Sequence, residues 1–149
     1  MTDLSAFSRL VPREHGLVTV STLRPDQTIQ STVVNAGVLG HPLTGVPVVG
    51  FVVRGGTRKL DHLRARPRAT VAIRAGWEWA AAEGEAELAG PADPLPGLAD
   101  GALPGLLRDV FKAAGGTHDD WAEYDRVMAE QRRAAVLIEP DRVYGNSPG

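Results

Sequence analysis

Apolar and polar residues change period several times along this chain, and each change marks an element. Leu4, Phe7 and Val11 recur at helical spacing behind a possible cap at Thr2 or Asp3, and Pro12 stops the pattern, which predicts a short lid or dimer-packing helix. Residues 17–23 and 29–36 read as two strands joined by the turn Arg24-Pro25-Asp26-Gln27. In the second strand Gln30, Thr32 and Val34 share one face and Ser31, Val33 and Asn35 the other. Each face therefore mixes hydroxyl or amide groups with β-branched carbon, a surface suited to a flat heteroaromatic ligand whose edge atoms meet main-chain amides. Residues 37–47 are a Gly- and Pro-rich loop centred on His41, placed either to overhang a site or to connect strands.

Residues 48–53 are β-branched or aromatic nearly throughout and predict a strand, followed by a tight Gly55-Gly56 turn with positive φ. Thr57 is the expected cap of a helix with Leu60 and Leu63 facing inward, ending before Pro67. Strands are expected over residues 69–74 and 77–88, the latter with Trp77 and Trp79 on one face and a bulge at Gly84. Residues 90–104 form a surface excursion. Leu103, Leu106, Leu107, Val110 and Phe111 then mark a helix that Gly115-Gly116 ends. Thr117 is expected to open the next helix, with Asp120 at the capping-box position and Trp121, Tyr124, Val127 and Met128 as its apolar face. Both helices read as structural. Residues 134–138 and 142–144 read as two short closing strands around Glu139-Pro140-Asp141.

Length and charge narrow the class. At 149 residues, without internal repeats, the chain is expected to form one domain, residues 1–149, able to bury a core without staples. A net charge of -2 and a pI near 6.1 argue against nucleic acid or an anionic membrane as the main partner. There is no cysteine, which removes disulfides and thiol chemistry. Asp3 and Arg9 interrupt any signal-peptide core and no apolar run approaches bilayer length, so a soluble, cytoplasmic protein is expected.

One stretch breaks an electrostatic rule. Arg58 and Lys59 fall in the first turn of a helix, where free N–H groups and the dipole already make the potential positive. A bound anion resolves the conflict, most simply a phosphate bonded by Thr57, the backbone N–H groups, Arg58 and Lys59. The chain holds only two lysines, Lys59 and Lys112, so a point charge beside an Arg fork stands out against an Arg-rich background. Arg64, Arg66 and Arg68 suit the other end of that helix by the dipole alone, and could also attract an acidic ligand tail.

Catalytic machinery is sparse. His15, His41, His62 and His118 have no helical metal spacing, and neither a nucleophile elbow, a Walker loop nor a dinucleotide fingerprint occurs, so no metal is expected. Glu83, Glu85 and Glu87 at period two read as a solvated strand face. A phosphate grip beside a ring-sized, semi-polar surface instead favours a cofactor that carries the chemistry.

The order of these segments, with Thr57-Arg58-Lys59, Leu60-X-X-Leu63, Arg66-Pro67-Arg68-Ala69-Thr70-Val71, Gly84-X-Ala86-Glu87-Leu88 and the closing Ile138-Glu139-Pro140-Asp141-Arg142-Val143-Tyr144, resembles the pyridoxamine 5'-phosphate oxidase-like split β-barrel superfamily. It is most similar to the actinobacterial branch that uses the 8-hydroxy-5-deazaflavin coenzyme, coenzyme F-420. The resemblance implies a mainly β fold, a six-stranded barrel with flanking helices, and a homodimer with cofactor sites at its interface. It implies that Thr57, Arg58 and Lys59 hold the cofactor phosphate, that Gln30, Ser31, Thr32, Val33, Val34 and Asn35 lie along the ring, and that Val52 and Val53 border it. Trp77 and Trp79 would approach from the partner subunit. The cofactor implied is coenzyme F-420, with FMN or haem as alternatives, and the activity is hydride transfer to an electron-poor small molecule, with a non-catalytic carrier as the alternative. The Arg-X-His that grips substrate in the true oxidases has no counterpart at Arg142-Val143-Tyr144, so vitamin B6 oxidation is not expected. No catalytic residue is assigned.

Overall fold

A computed structural model describes residues 2–146. Strands β1 (Leu17–Leu23), β2 (Ile29–Gly40), β3 (Pro47–Val53), β4 (Arg68–Ala75), β5 (Glu78–Ala89) and β6 (Ala134–Gly145) close into an antiparallel barrel in the order β1-β2-β3-β6-β5-β4. Helix α1 (Ser5–Leu10) precedes it, α2 (Arg58–Ala65) links β3 to β4, and α3 (Leu103–Ala113) and α4 (Trp121–Glu130) lie between β5 and β6. The mainly β architecture, a closed six-stranded barrel with flanking helices, is the one the resemblance implied.

The burial pattern explains why some strands alternate and others do not. β1 alternates between exposed and buried positions, because only its inner face meets the core. β3 and β6 are apolar on successive residues because each is covered twice. Inside, Phe51, Val136 and Ile138 join Val20, Val71 and Ile73; outside, Val48, Ala135 and Leu137 pack under Leu106, Leu107 and Val110 of α3. Phe7 and Leu10 of α1 are fully buried in the inner cluster, so α1 is a plug of the barrel rather than a lid.

Several boundaries differ from the sequence reading. β2 continues past Ala36 to Gly40, and His41 turns inward: its Nδ1 accepts from the Leu43 N–H (3.1 Å), which leaves Nε2 to donate to Glu87 (2.8 Å). His41 thus anchors the hairpin loop and overhangs nothing. β6 is one strand, since the register shift opposite Glu83 and Gly84 makes Asp141 an extra residue and lets Pro140 sit at a bulge. The bulge lies on β6, with Gly84 facing it; a Cβ on Gly84 would stand 2.1 Å from the Glu139 carbonyl oxygen. α4 is capped by Asp120, which accepts from the Glu123 N–H (3.1 Å), and not by Thr117. In the β3–α2 turn only Gly56 has positive φ (80°); Gly55 is required by closeness, its Cβ position being 2.6 Å from the Arg132 carbonyl oxygen.

Candidate functional site

The barrel is split where β2 leaves β3. Their ladder runs from Gly40↔Pro47 to Ala36↔Phe51, whereas residues 29–35 of β2 pair only with β1. From Asn35 back to Ile29 one edge of β2 therefore has no strand partner, and its main-chain groups are free for a ligand. Helix α2 packs on β1, burying Leu60 and Leu63 in the barrel core. Thr22, the ladder partner of Gln30, shares a hydrogen bond with Nδ1 of His62 (3.1 Å), which sets the first half of β2 beside α2. Three buried side-chain atoms in this neighbourhood have no hydrogen-bond partner: Gln30 Oε1, Thr32 Oγ1 and Thr57 Oγ1. Each such atom costs about 1–3 kcal/mol when left unpaired.

The α2 entrance is the most unusual electrostatic feature. Thr57 occupies the cap position with extended backbone (φ −82°, ψ 154°), yet its hydroxyl makes no capping bond. Among the described residues neither Arg58 nor Lys59 has an ion-pair or hydrogen-bond partner. Arg58 is exposed; Lys59 is half-buried, and burial pushes its ammonium below the ordinary lysine range. The far end of the same helix is neutralised: Arg64 pairs with Asp61 and Asp93, and Arg68 just beyond it with Asp141. These two are not free to attract an acidic tail.

A second feature opens on the outer side of the split. A cleft of about 580 Å³ has Val33, Val34, Asn35 and Val52 as its floor and the α3–α4 pair as its wall. Glycines permit the close approach that forms it. A Cβ on Gly37 would lie 2.1 Å from the Ala113 carbonyl oxygen, and one on Gly16 2.4 Å from that of Ala114, so the end of α3 rests directly on β2 and on the turn that leads into β1. Tyr124 fixes α4 to α3 by donating to the Leu107 carbonyl (3.1 Å) and stacking at 4.9 Å on Phe111, and Arg108 pairs with Asp125 across the same helices. Gly55 seats the α4–β6 turn against the β3–α2 turn and so brings Arg133 to the cleft. Sequence reading treated α3 and α4 as structural and missed Phe111, Tyr124, Met128 and Arg133 as cleft residues. The available signal was the Arg132-Arg133 pair set directly before an apolar strand.

The remaining implied residues are dispersed. Ser31 lies on the outer face and bonds Ser21 (2.9 Å). Val53 points into the barrel core at 4% exposure, away from the cleft that Val52 lines. Trp77 sits in the β4–β5 turn, 94% exposed, while Trp79 packs edge-on to Tyr144 at 6.1 Å; neither lines the cleft. Glu83 and Glu87 are engaged, by Arg142 and Tyr144 and by His41 respectively, and Glu85 is exposed. Among the described residues no group of three His, Asp or Glu is disposed to hold a metal, and no helix is long and apolar enough to cross a membrane.

No protein-family model matches the chain. Solved structures match its fold over nearly all its length. An F420 reductase is 14% identical with a TM-score of 0.62, covering 92% of this chain and 94% of that one. A pyridoxamine 5'-phosphate oxidase-related, FMN-binding protein from Nostoc punctiforme is 13% identical with a TM-score of 0.64, covering 97% and 84%. A heme-binding protein from Mycobacterium smegmatis is 17% identical with a TM-score of 0.62, covering 98% of this chain but 55% of that one. At these identities the likeness is one of fold, and that fold is the split barrel of the pyridoxamine 5'-phosphate oxidase-like proteins.

Proposed function

We propose that the protein is an oxidoreductase that binds reduced coenzyme F-420, or FMN in its place, and delivers hydride to an electron-poor small molecule. The observation that carries this reading is the combination of an unneutralised helix entrance whose Thr57 hydroxyl is unbonded with two more orphaned polar atoms, Gln30 Oε1 and Thr32 Oγ1, on the strand whose edge is free. Thr57, Arg58, Lys59 and the first N–H groups of α2 would hold the phosphate, and pairing there removes the conflict between two cations and the helix dipole. The free edge of residues 30–35 would meet the polar edge of the ring, with Gln30 and Thr32 completing their hydrogen bonds and Val34 and Val52 packing on its carbon. Such a group supplies, when bound and reduced, transfer of a hydride to an acceptor carbon, with the second hydrogen arriving as a proton from solvent. The chain's own work is then to bind, orient and exclude water. The F420 reductase and the FMN-binding protein that share this fold support the cofactor class.

The outer face of the split supports a homodimer. Leu17, Ile29 and Val33 are 46, 63 and 66% exposed beside Thr19, Ser21 and Ser31, an uncharged apolar patch of a kind that marks association surfaces. Trp77 of a second copy is the proposed outer wall of the site. A second reading, a haem or cofactor carrier without turnover, is favoured by His15, an imidazole that lines the cleft.

Titration of the purified protein with F-420, FMN and haem, followed by anaerobic turnover with nitroaromatic and quinone acceptors, separates the readings. Saturable F-420 or FMN binding with acceptor-dependent oxidation is expected. Binding without turnover selects the carrier, and failure to bind either flavin-type cofactor overturns the proposal.

A further inference from the structure

Arg133 has no role in the cofactor site just described, and its setting is costly. It is half-buried at the cleft, its Nε donates to Gln131 Oε1 (2.8 Å), and its two Nη groups have no partner among the described residues. Desolvation, and then the neighbouring Arg54, hold its guanidinium below the usual arginine range. No carboxylate lines the cleft. Elsewhere on the molecule Arg64, Arg68, Arg108 and Arg126 find acidic partners, and Arg54, Arg58, Arg74 and Arg132, which have none among the described residues, are exposed. A guanidinium fork kept unpaired in a partly dry cleft is arranged to take both oxygens of a carboxylate from outside.

The rest of the cleft states what that carboxylate is attached to. Phe111, Tyr124 and Met128 on one side and Val33 and Val52 on the other present aromatic, thioether and β-branched surfaces, and the volume suits a small molecule. We propose that this cleft binds an aromatic carboxylate, with the ring between the α3–α4 wall and the β2–β3 floor and the carboxylate forked by Arg133. That this ligand is the hydride acceptor rests on the proposed function, since Val33, Val34 and Val52 would be shared by acceptor and cofactor; the binding claim does not.

The test begins with cofactor-free protein and two probes of nearly equal shape, 4-nitrobenzoate and 4-nitrobenzamide, titrated by calorimetry. The acid is expected to bind at least tenfold more tightly than the amide. That preference should vanish in Arg133→Gln and persist in Arg132→Asn, which removes an adjacent exposed charge at a left-handed position (φ 51°) that Asn tolerates. Equal affinity of the wild-type protein for acid and amide overturns the proposal without any variant. A preference that survives in Arg133→Gln also overturns it. The double variant Arg58→Ala/Lys59→Ala separates this from the cofactor assignment: it should weaken F-420 and FMN binding on the order of a hundredfold and leave the acid preference intact. If Arg133→Gln instead abolishes cofactor binding, the cleft belongs to the cofactor and the acceptor site is refuted.

Discussion

Two helices of this protein begin in opposite ways. α4 is completed internally: Asp120 accepts from the Glu123 N–H at 3.1 Å, and Glu123 places an acid in the first turn, where Arg126 holds its carboxyl below the usual range. α2 has a residue of the same capping type at the same position, yet the Thr57 hydroxyl is unbonded, and the first turn opens with Arg58 and Lys59, its one acid, Asp61, being held by Arg64. One entrance satisfies its free N–H groups and its dipole from within the chain. The other leaves both unsatisfied and adds positive charge. A fold tolerates such an entrance at a cost, and the cost is recovered when an anion arrives, which is why the contrast between α4 and α2 points to a ligand.

The sharpest break is removal of both α2 cations. Arg58→Ala/Lys59→Ala should weaken F-420 or FMN binding by about 3 kcal/mol, on the order of a hundredfold, with the thermal midpoint of the free protein unchanged or raised. Fluorescence titration beside a melting curve checks both, and unchanged affinity would remove the phosphate assignment. Next in size is the exchange of the two caps. Asp120→Ala should lose about 1 kcal/mol of folding stability in urea unfolding, whereas Thr57→Ala, which breaks no capping bond, should lose far less while weakening cofactor binding. Equal stability losses would mean that the two entrances do not differ as described.

A smaller effect comes from giving α2 the charge pattern of α4. Arg58→Glu should raise the stability of the free protein by about 0.3–1 kcal/mol and abolish cofactor binding, so that stability and affinity move in opposite directions. The smallest effect is a pH dependence. Lys59 titrates below its unfolded value, so between its folded pKa and the ordinary value of 10.5 the unfolded chain binds more protons and stability rises with pH. Unfolding curves measured as pH is raised toward 10.5 should show this gain in wild type and not in Lys59→Met; an identical slope in both would show that Lys59 is solvated.

Much of the barrel was legible along the chain because periodicity reports burial directly. The alternation of β1, the double-sided apolar runs of β3 and β6, and the Gly-Gly stops around α2 and after α3 each name their element. The α2 entrance was legible too, since helix position and charge are both local. What failed was local chemistry overridden by distant contacts. Thr57 holds the cap position without making the capping bond, Pro140 looks like a break and is absorbed at a bulge, and α1 looks like a cover and is a core plug.

The sequence by itself determined which segments are strands, which helix entrance is electropositive, and that two valines and an asparagine would share a strand with polar residues. Only the tertiary structure decided that β2 parts from β3 at Asn35, that the end of α3 rests on β2 at Gly37 and on the turn before β1 at Gly16, and that Arg133, without an acidic partner, lines one cleft with Val52 and Phe111. The reason is physical: helix dipoles and hydrophobic period act within a few residues, whereas a cleft exists only where backbones far apart in the chain come close enough to exclude a Cβ.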